Sequence, residues 1–131
     1  STPVIPADVP SSFIVSSDTE HYCILILPGV DSRTSGLKKS VAALNNEKYS
    51  AGGLDILFDL YNIDLGVLVV RKFKNAAEAK VYMSDLTATD AFKGYGAGEI
   101  KPMLISSPNY KKMFADKNTQ VYSAFYTANY K

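Results

Sequence analysis

Apolar residues fall in short blocks along the 131-residue chain, and their spacing alternates between that of a strand and that of a helix. His21 to Leu27, closed by Pro28-Gly29, reads as a first strand. Leu37, Val41 and Leu44 then recur at i, i+4 and i+7, one stripe of a helix over about Ser32 to Glu47. Gly52-Gly53 ends that unit. Leu54 to Tyr61 alternates, Asn62-Ile63-Asp64 turns, and Leu65 to Phe73 reads as a strand again, so this pair is a β-hairpin. Asn75 with Glu78 three residues on resembles a capping box. The helix behind it should carry Ala79, Met83 and Leu86 inward. Gly94, Gly96 and Gly98 read as a flexible connector before a fourth strand, Ile100 to Ile105. Ser107-Pro108 reads as a cap followed by proline at the first helical position, opening a helical tail to Tyr130 that breaks near Asp116 to Asn118.

The expected fold is therefore α+β, in the ferredoxin-like order βαββαβ with an added C-terminal helical segment. That order implies a four-stranded antiparallel sheet arranged 4-1-3-2, with two helices on one face. The pattern supports it. Tyr22, Ile24, Ile26 and Cys23, Leu25, Leu27 make the first strand apolar on both faces, as do Leu65 to Val70 in the third. These suit central strands. The second strand sets Asp55 and Asp59 opposite Leu54, Ile56, Phe58 and Leu60, and the fourth contains Pro102, so both suit edges. One consequence follows. Two helices cover one sheet face, and the other must be covered by the tail, by the N-terminal segment or by another chain.

Residues 1–20 hold Pro3, Pro6, Pro10 and a Ser/Thr/Asp cluster, which reads as an extended linker ahead of a domain at 21–131, with some order around Phe13-Ile14-Val15. A start in such a linker, without Met or an apolar leader, is expected of a segment of a longer protein.

Composition narrows the function. With 47% hydrophobic and 21% charged residues the chain is an ordinary globular domain. The apolar run Cys23 to Pro28 is far shorter than the roughly 18–20 residues of a membrane span. The formal net charge is +1, divided between an acidic 1–20 carrying Asp8, Asp18 and Glu20 and a basic remainder. No strong field steers nucleic acid or anionic lipid. The third strand, Leu65 to Phe73, also lacks the stacking aromatics of an RNA-recognition sheet.

Candidate chemistry is sparse. His21 and Cys23 are i and i+2 on one strand, about 7 Å apart at Cα, which is long for a nucleophile and its base. One cysteine and one histidine also supply too few ligands for a zinc site. Gly94-Tyr95-Gly96-Ala97-Gly98 precedes a strand, whereas a phosphate-cradling loop opens a helix. Asp55 and Asp59 lie about 13 Å apart, too far for paired acid–base work, and suit an edge strand that discourages pairing. Nine tyrosines stand against no tryptophan. Tyr110, Tyr122, Tyr126 and Tyr130 gather in the tail at spacings that favour packing on the sheet, and any left at its rim would suit a protein contact.

Three stretches resemble a C-terminal domain of bacterial envelope proteins, the tetratricopeptide-repeat lipoproteins of type IX secretion and gliding motility. They are His21-Tyr22 with Ile24 to Pro28; Lys72 to Ala79 with Tyr82; and the tail pattern Ile105-Ser106, Asn109-Tyr110, Phe114, Asp116 to Asn118, Tyr122, Phe125-Tyr126 and Asn129-Tyr130. The resemblance spans nearly all of 21–131 and carries no catalytic motif. It implies a periplasmic, outer-membrane-associated module whose partners are other envelope proteins or its parent chain's repeat region. This chain has no repeats, only the Pro-rich lead.

The expected function is thus a non-enzymatic protein-interaction domain with no catalytic, cofactor or metal residues. Its candidate surface is Asp55, Asp59, Tyr61, Tyr110, Tyr122, Tyr126 and Tyr130. Docking would use the second sheet face, the exposed edge strand or the tyrosine-bearing tail. The alternative is a small-ligand-binding or sensory domain, a homodimer through its sheet face, which requires a cavity larger than about 300 Å³.

Overall fold

A computed structural model describes residues 13–15, 18–29, 32–49, 54–60, 65–96, 98–116 and 119–130. The elements are β1 (His21–Leu27), α1 (Ser32–Lys48), β2 (Asp55–Leu60), β3 (Gly66–Phe73), α2 (Ala76–Ala88), β4 (Lys101–Ser106), α3 (Ser107–Asp116) and α4 (Thr119–Tyr130). The fold is α+β, a four-stranded antiparallel sheet with four helices. The sheet runs β2-β3-β1-β4, the expected order, with β1 and β3 central and β2 and β4 at the edges.

Both faces of the central strands are buried, and each face has its own core. On one, Cys23, Leu25 and Leu27 of β1 meet Leu37, Val41 and Leu44 of α1 and Ala79, Tyr82 and Leu86 of α2. On the other, Tyr22, Ile24 and Ile26 meet Val67 and Val69 of β3, Met113 of α3, Tyr122 of α4 and Phe13. The second face is thus covered by the chain's own tail and N-terminal segment. Of the three coverings the sequence allowed, the tail and the N-terminal segment are the two found over the central strands. Part of the stretch read as a linker also belongs to the core, because Phe13 is 7% exposed.

Local chemistry explains where elements begin and turn. The Asn75 side chain accepts from the Glu78 amide at 2.9 Å, closing the start of α2. Glu78 reaches back to the amide of Lys74, one residue beyond the cap, at 3.2 Å. The Asn109 amide lies 3.4 Å from Ser106 Oγ, so Ser106 and not Ser107 caps α3. Gly29, at φ 120°, lets the chain leave β1 in a conformation that L side chains rarely adopt.

One irregularity redirects a side chain. His21 pairs with Phe73 while Cys23 pairs with Val70, so β3 carries an extra residue opposite Tyr22. The bulge reverses the alternation, and Phe73 joins Leu68 and Val70 on the α1–α2 side. Tyr82, not Met83, is the fully buried residue of α2 at that level; Met83 is only partly buried.

Candidate interaction surface

The tyrosine-bearing tail is largely committed to the domain itself. Tyr122 is fully buried and its hydroxyl donates to the Leu104 carbonyl of β4, so it presents no surface to a partner. Tyr110 is half-buried, meets Tyr22 edge-on at 5.4 Å, and donates to Asp59 Oδ2 at 2.8 Å. Burial, then the hydrogen bond to Asp59 and its negative charge, push the Tyr110 phenol above its ordinary range. Tyr126 is half-buried, 6.5 Å from Tyr122. Tyr130 ends α4 with its side chain outside the described residues, and Tyr61 lies outside them altogether.

Asp55 and Asp59 therefore have different roles. Asp59 anchors α3, whereas Asp55 is exposed, with only a loose 3.8 Å contact to Arg71. Neither faces the other across a cleft. With Leu57, 36% exposed, they mark the tail-side face of β2. On the opposite face Ile56 and Phe58 are only half-buried against the core. They border a groove of about 550 Å³ beneath α1, whose far wall is Thr34, Ser35, Lys38, Lys39 and Ala42. Among the described residues β2 pairs with β3 alone. Its outer edge thus offers backbone donors and acceptors beside a partly apolar groove with a basic rim.

The pair considered for nucleophilic chemistry is disarmed. Cys23 is fully buried, its thiol donates to the Ala79 carbonyl at 3.3 Å, and burial pushes its pKa well up. A thiolate is the reactive form, so this cysteine is inert in the folded chain. His21 is fully buried too, and its Nδ1 lies 2.7 Å from the Thr19 carbonyl, which can only accept. Burial lowers its pKa, with the Thr19 bond opposing, so the ring is neutral at pH 7. Among the described residues no three His, Cys, Asp or Glu side chains group as a metal site.

The glycine segment is more ordered than a flexible connector. Arg33 of α1 reaches across to Glu99 Oε1 at 2.9 Å and to the Gly94 carbonyl at 3.3 Å. Its guanidinium lies 4.2 Å from the Tyr95 ring centre, and Glu99 also accepts from the Gly96 amide at 2.5 Å. The loop is thus folded on itself and pinned to α1. The Gly96 amide is taken by the Glu99 carboxylate, and an anion there would compete with that negative charge.

A cleft of about 650 Å³ lies at one end of the sheet, between α4 and the adjoining ends of β1 and β4. Ile26, Leu65 and Met103 form its apolar wall; Glu99, Lys101 and Gln120 are among its polar residues. No local sequence pattern points to it, because its lining comes from four separate stretches of the chain. No described helix is long and apolar enough to cross a membrane. Compared with family models, curated proteins and solved structures, the chain matches none.

Proposed function

We propose that this chain is a non-enzymatic protein-interaction module of a bacterial cell-envelope protein, ferredoxin-like in fold, that docks partners along the outer edge of β2. The observation that carries the reading is the state of the three candidate docking surfaces. The second sheet face is filled by Phe13, Met113 and Tyr122, and of the tail tyrosines Tyr110, Tyr122 and Tyr126 are half or fully buried. The edge of β2 remains, with Leu57 exposed and Ile56 and Phe58 bordering the α1 groove. A partner strand laid there would complete backbone hydrogen bonds and place alternate side chains in that groove.

The ferredoxin-like reading is supported by the strand order and by α1 and α2 sharing one face; α3 and α4 are additions. The periplasmic setting, and a role beside type IX secretion or gliding machinery, rest on the resemblance of the three stretches. A photo-crosslinking residue at Leu57, with one at Val81 as control, tests the surface. Val81 is 58% exposed on α2, a different element from β2. The reading expects one discrete adduct from position 57 in the cell envelope and none from 81. Equal labelling from both positions would sink it.

A second reading is favoured by the cleft between α4 and the sheet, whose size suits a small ligand. Filling it with Ala124→Trp should abolish ligand-induced thermal stabilisation while leaving the crosslink at 57 intact.

A further inference from the structure

The N-terminal segment is held on the tail by an unusual division of labour. Asn109, fully buried on α3, accepts from the Ile14 amide at 3.1 Å and donates from Nδ2 to the Ile14 carbonyl at 2.9 Å. One side-chain amide thereby reads both polar groups of a single residue, as a neighbouring strand would. Next to it, the Phe13 ring is buried 5.0 Å from Tyr122 and 5.6 Å from Phe125. The side chains of Ile14 and Val15 are left out, each residue 59% exposed. Among the described residues 13–15, recognition therefore consists of one aromatic ring and one backbone peptide pair, with the side chains of Ile14 and Val15 turned largely to solvent.

We propose that the α3–α4 surface is a receptor for extended peptide segments bearing an aromatic side chain followed by a residue with a free backbone N–H, and that Phe13-Ile14 is its resident ligand. The chemistry of the occupant is given by the segment seated there: a phenyl ring for the Tyr122–Phe125 pocket, and an unsubstituted peptide group for Asn109. Backbone readout transfers to any segment of that pattern. A partner segment competes with Phe13, which only seven residues, Ile14 to Glu20, separate from the start of β1. A tether that short gives the resident segment an effective concentration on the order of millimolar, so an incoming segment meets an occupied site. The site lies on the tail side of the sheet, on α3 and α4, and does not depend on docking at β2.

The probe is a fluorescent peptide of residues 9–18, titrated into the full chain and into its Phe13→Ala variant, with circular dichroism to verify folding. The Phe13→Ala chain should bind the peptide saturably, and the unaltered chain at least about tenfold more weakly, because its own segment competes. Within the peptide, Phe13→Ala should cost about tenfold or more, as loss of an aromatic anchor does. Ile14→Pro, which removes the N–H that Asn109 accepts, should cost as much. Ile14→Ala should change affinity by no more than about twofold, since that side chain faces solvent. In the unaltered chain, which needs no substitution, excess peptide should speed hydrogen exchange at the Ile14 amide. Two results overturn the proposal, and either suffices. One is a folded Phe13→Ala chain that leaves the peptide free; the other is Ile14 exchange in the unaltered chain that excess peptide does not alter.

Discussion

The Tyr110 hydroxyl donates to Asp59 at 2.8 Å and so bonds α3 to the edge strand of the sheet. The tail is laid over one face of the sheet and also fastened at its rim. Replacing Tyr110 by Phe keeps the ring packing on Tyr22 and Phe114 and removes the bond alone. Both groups keep some access to water, so the expected loss is about 1 kcal/mol, measured by urea denaturation. A loss near zero would mean that packing alone holds α3.

Alkaline pH should destabilise the fold through its tyrosines. Tyr49, Tyr82, Tyr110 and Tyr126 all have raised pKa values, burial being the largest cause in each. Tyr49, whose hydroxyl also donates to Asp85, is pushed up to about 12. The folded chain holds these protons more tightly than the unfolded chain, whose phenols ionise near 10. Their stabilisation is therefore complete below about pH 10 and is lost as pH rises through the folded values. Denaturation midpoints should stay level to about pH 9.5 and then fall. Full tyrosinate absorbance in a chain that is still folded at pH 10.5 would contradict this.

His21 acts in the opposite direction. Its pKa lies below the usual 6.5, so the unfolded chain binds its proton more readily. Stability from this group is present above about pH 6.5 and declines as pH falls through the folded value. In His21→Gln the dependence of the midpoint on pH between about 6.5 and 5 should be shallower than in the unaltered chain.

Tyr82 and Asn45 form a buried polar pair whose members depend on each other. The Tyr82 hydroxyl donates to Asn45 Oδ1 at 2.5 Å, and Asn45 Nδ2 has no partner among the described residues. Tyr82→Phe strands the remaining polar atom as well, at a cost of about 1–3 kcal/mol. Removing both polar groups, in Tyr82→Phe with Asn45→Leu, should recover most of that loss. A double-mutant cycle reads the coupling directly. Additive losses would show that the two groups act independently.

Gly66 is required by its neighbour. A Cβ built there would stand 2.6 Å from Cζ of the Phe58 ring, so Gly66→Ala forces that ring aside. The expected cost is about 1–3 kcal/mol, and shortening the ring in Phe58→Leu should relieve much of it. If the double variant is no more stable than Gly66→Ala, the clash is not the cause.

The pattern of apolar residues was enough to place the strands and helices and to order the sheet. The runs Tyr22 to Leu27 and Leu65 to Val70, apolar on both faces, demand burial on both sides, and only central strands supply it. Three local details were not legible. The bulge in β3 turns Phe73 toward α1 and α2, against the alternation from which its face would be read. Tyr82 is buried because Asn45, 37 residues away in sequence, receives its hydroxyl. The glycine segment is ordered because Arg33, 61 residues from Gly94, crosses to it. Spacing along one element carries no information about partners on another.

The candidate surface divides along the same line. Sequence alone determined the two-faced core, the edge character of β2, and the poverty of the chain in reactive groups, since each follows from residue type and local period. What covers the second face was decided only in three dimensions, by Phe13, Met113 and Tyr122 meeting across more than a hundred residues of chain. The difference is physical: periodicity sets which side of an element seeks burial, but the surface that buries it is chosen by long-range packing. That packing turned Tyr122 and Tyr110 from surface candidates into anchors and, among the described residues, left β2 paired along one edge alone.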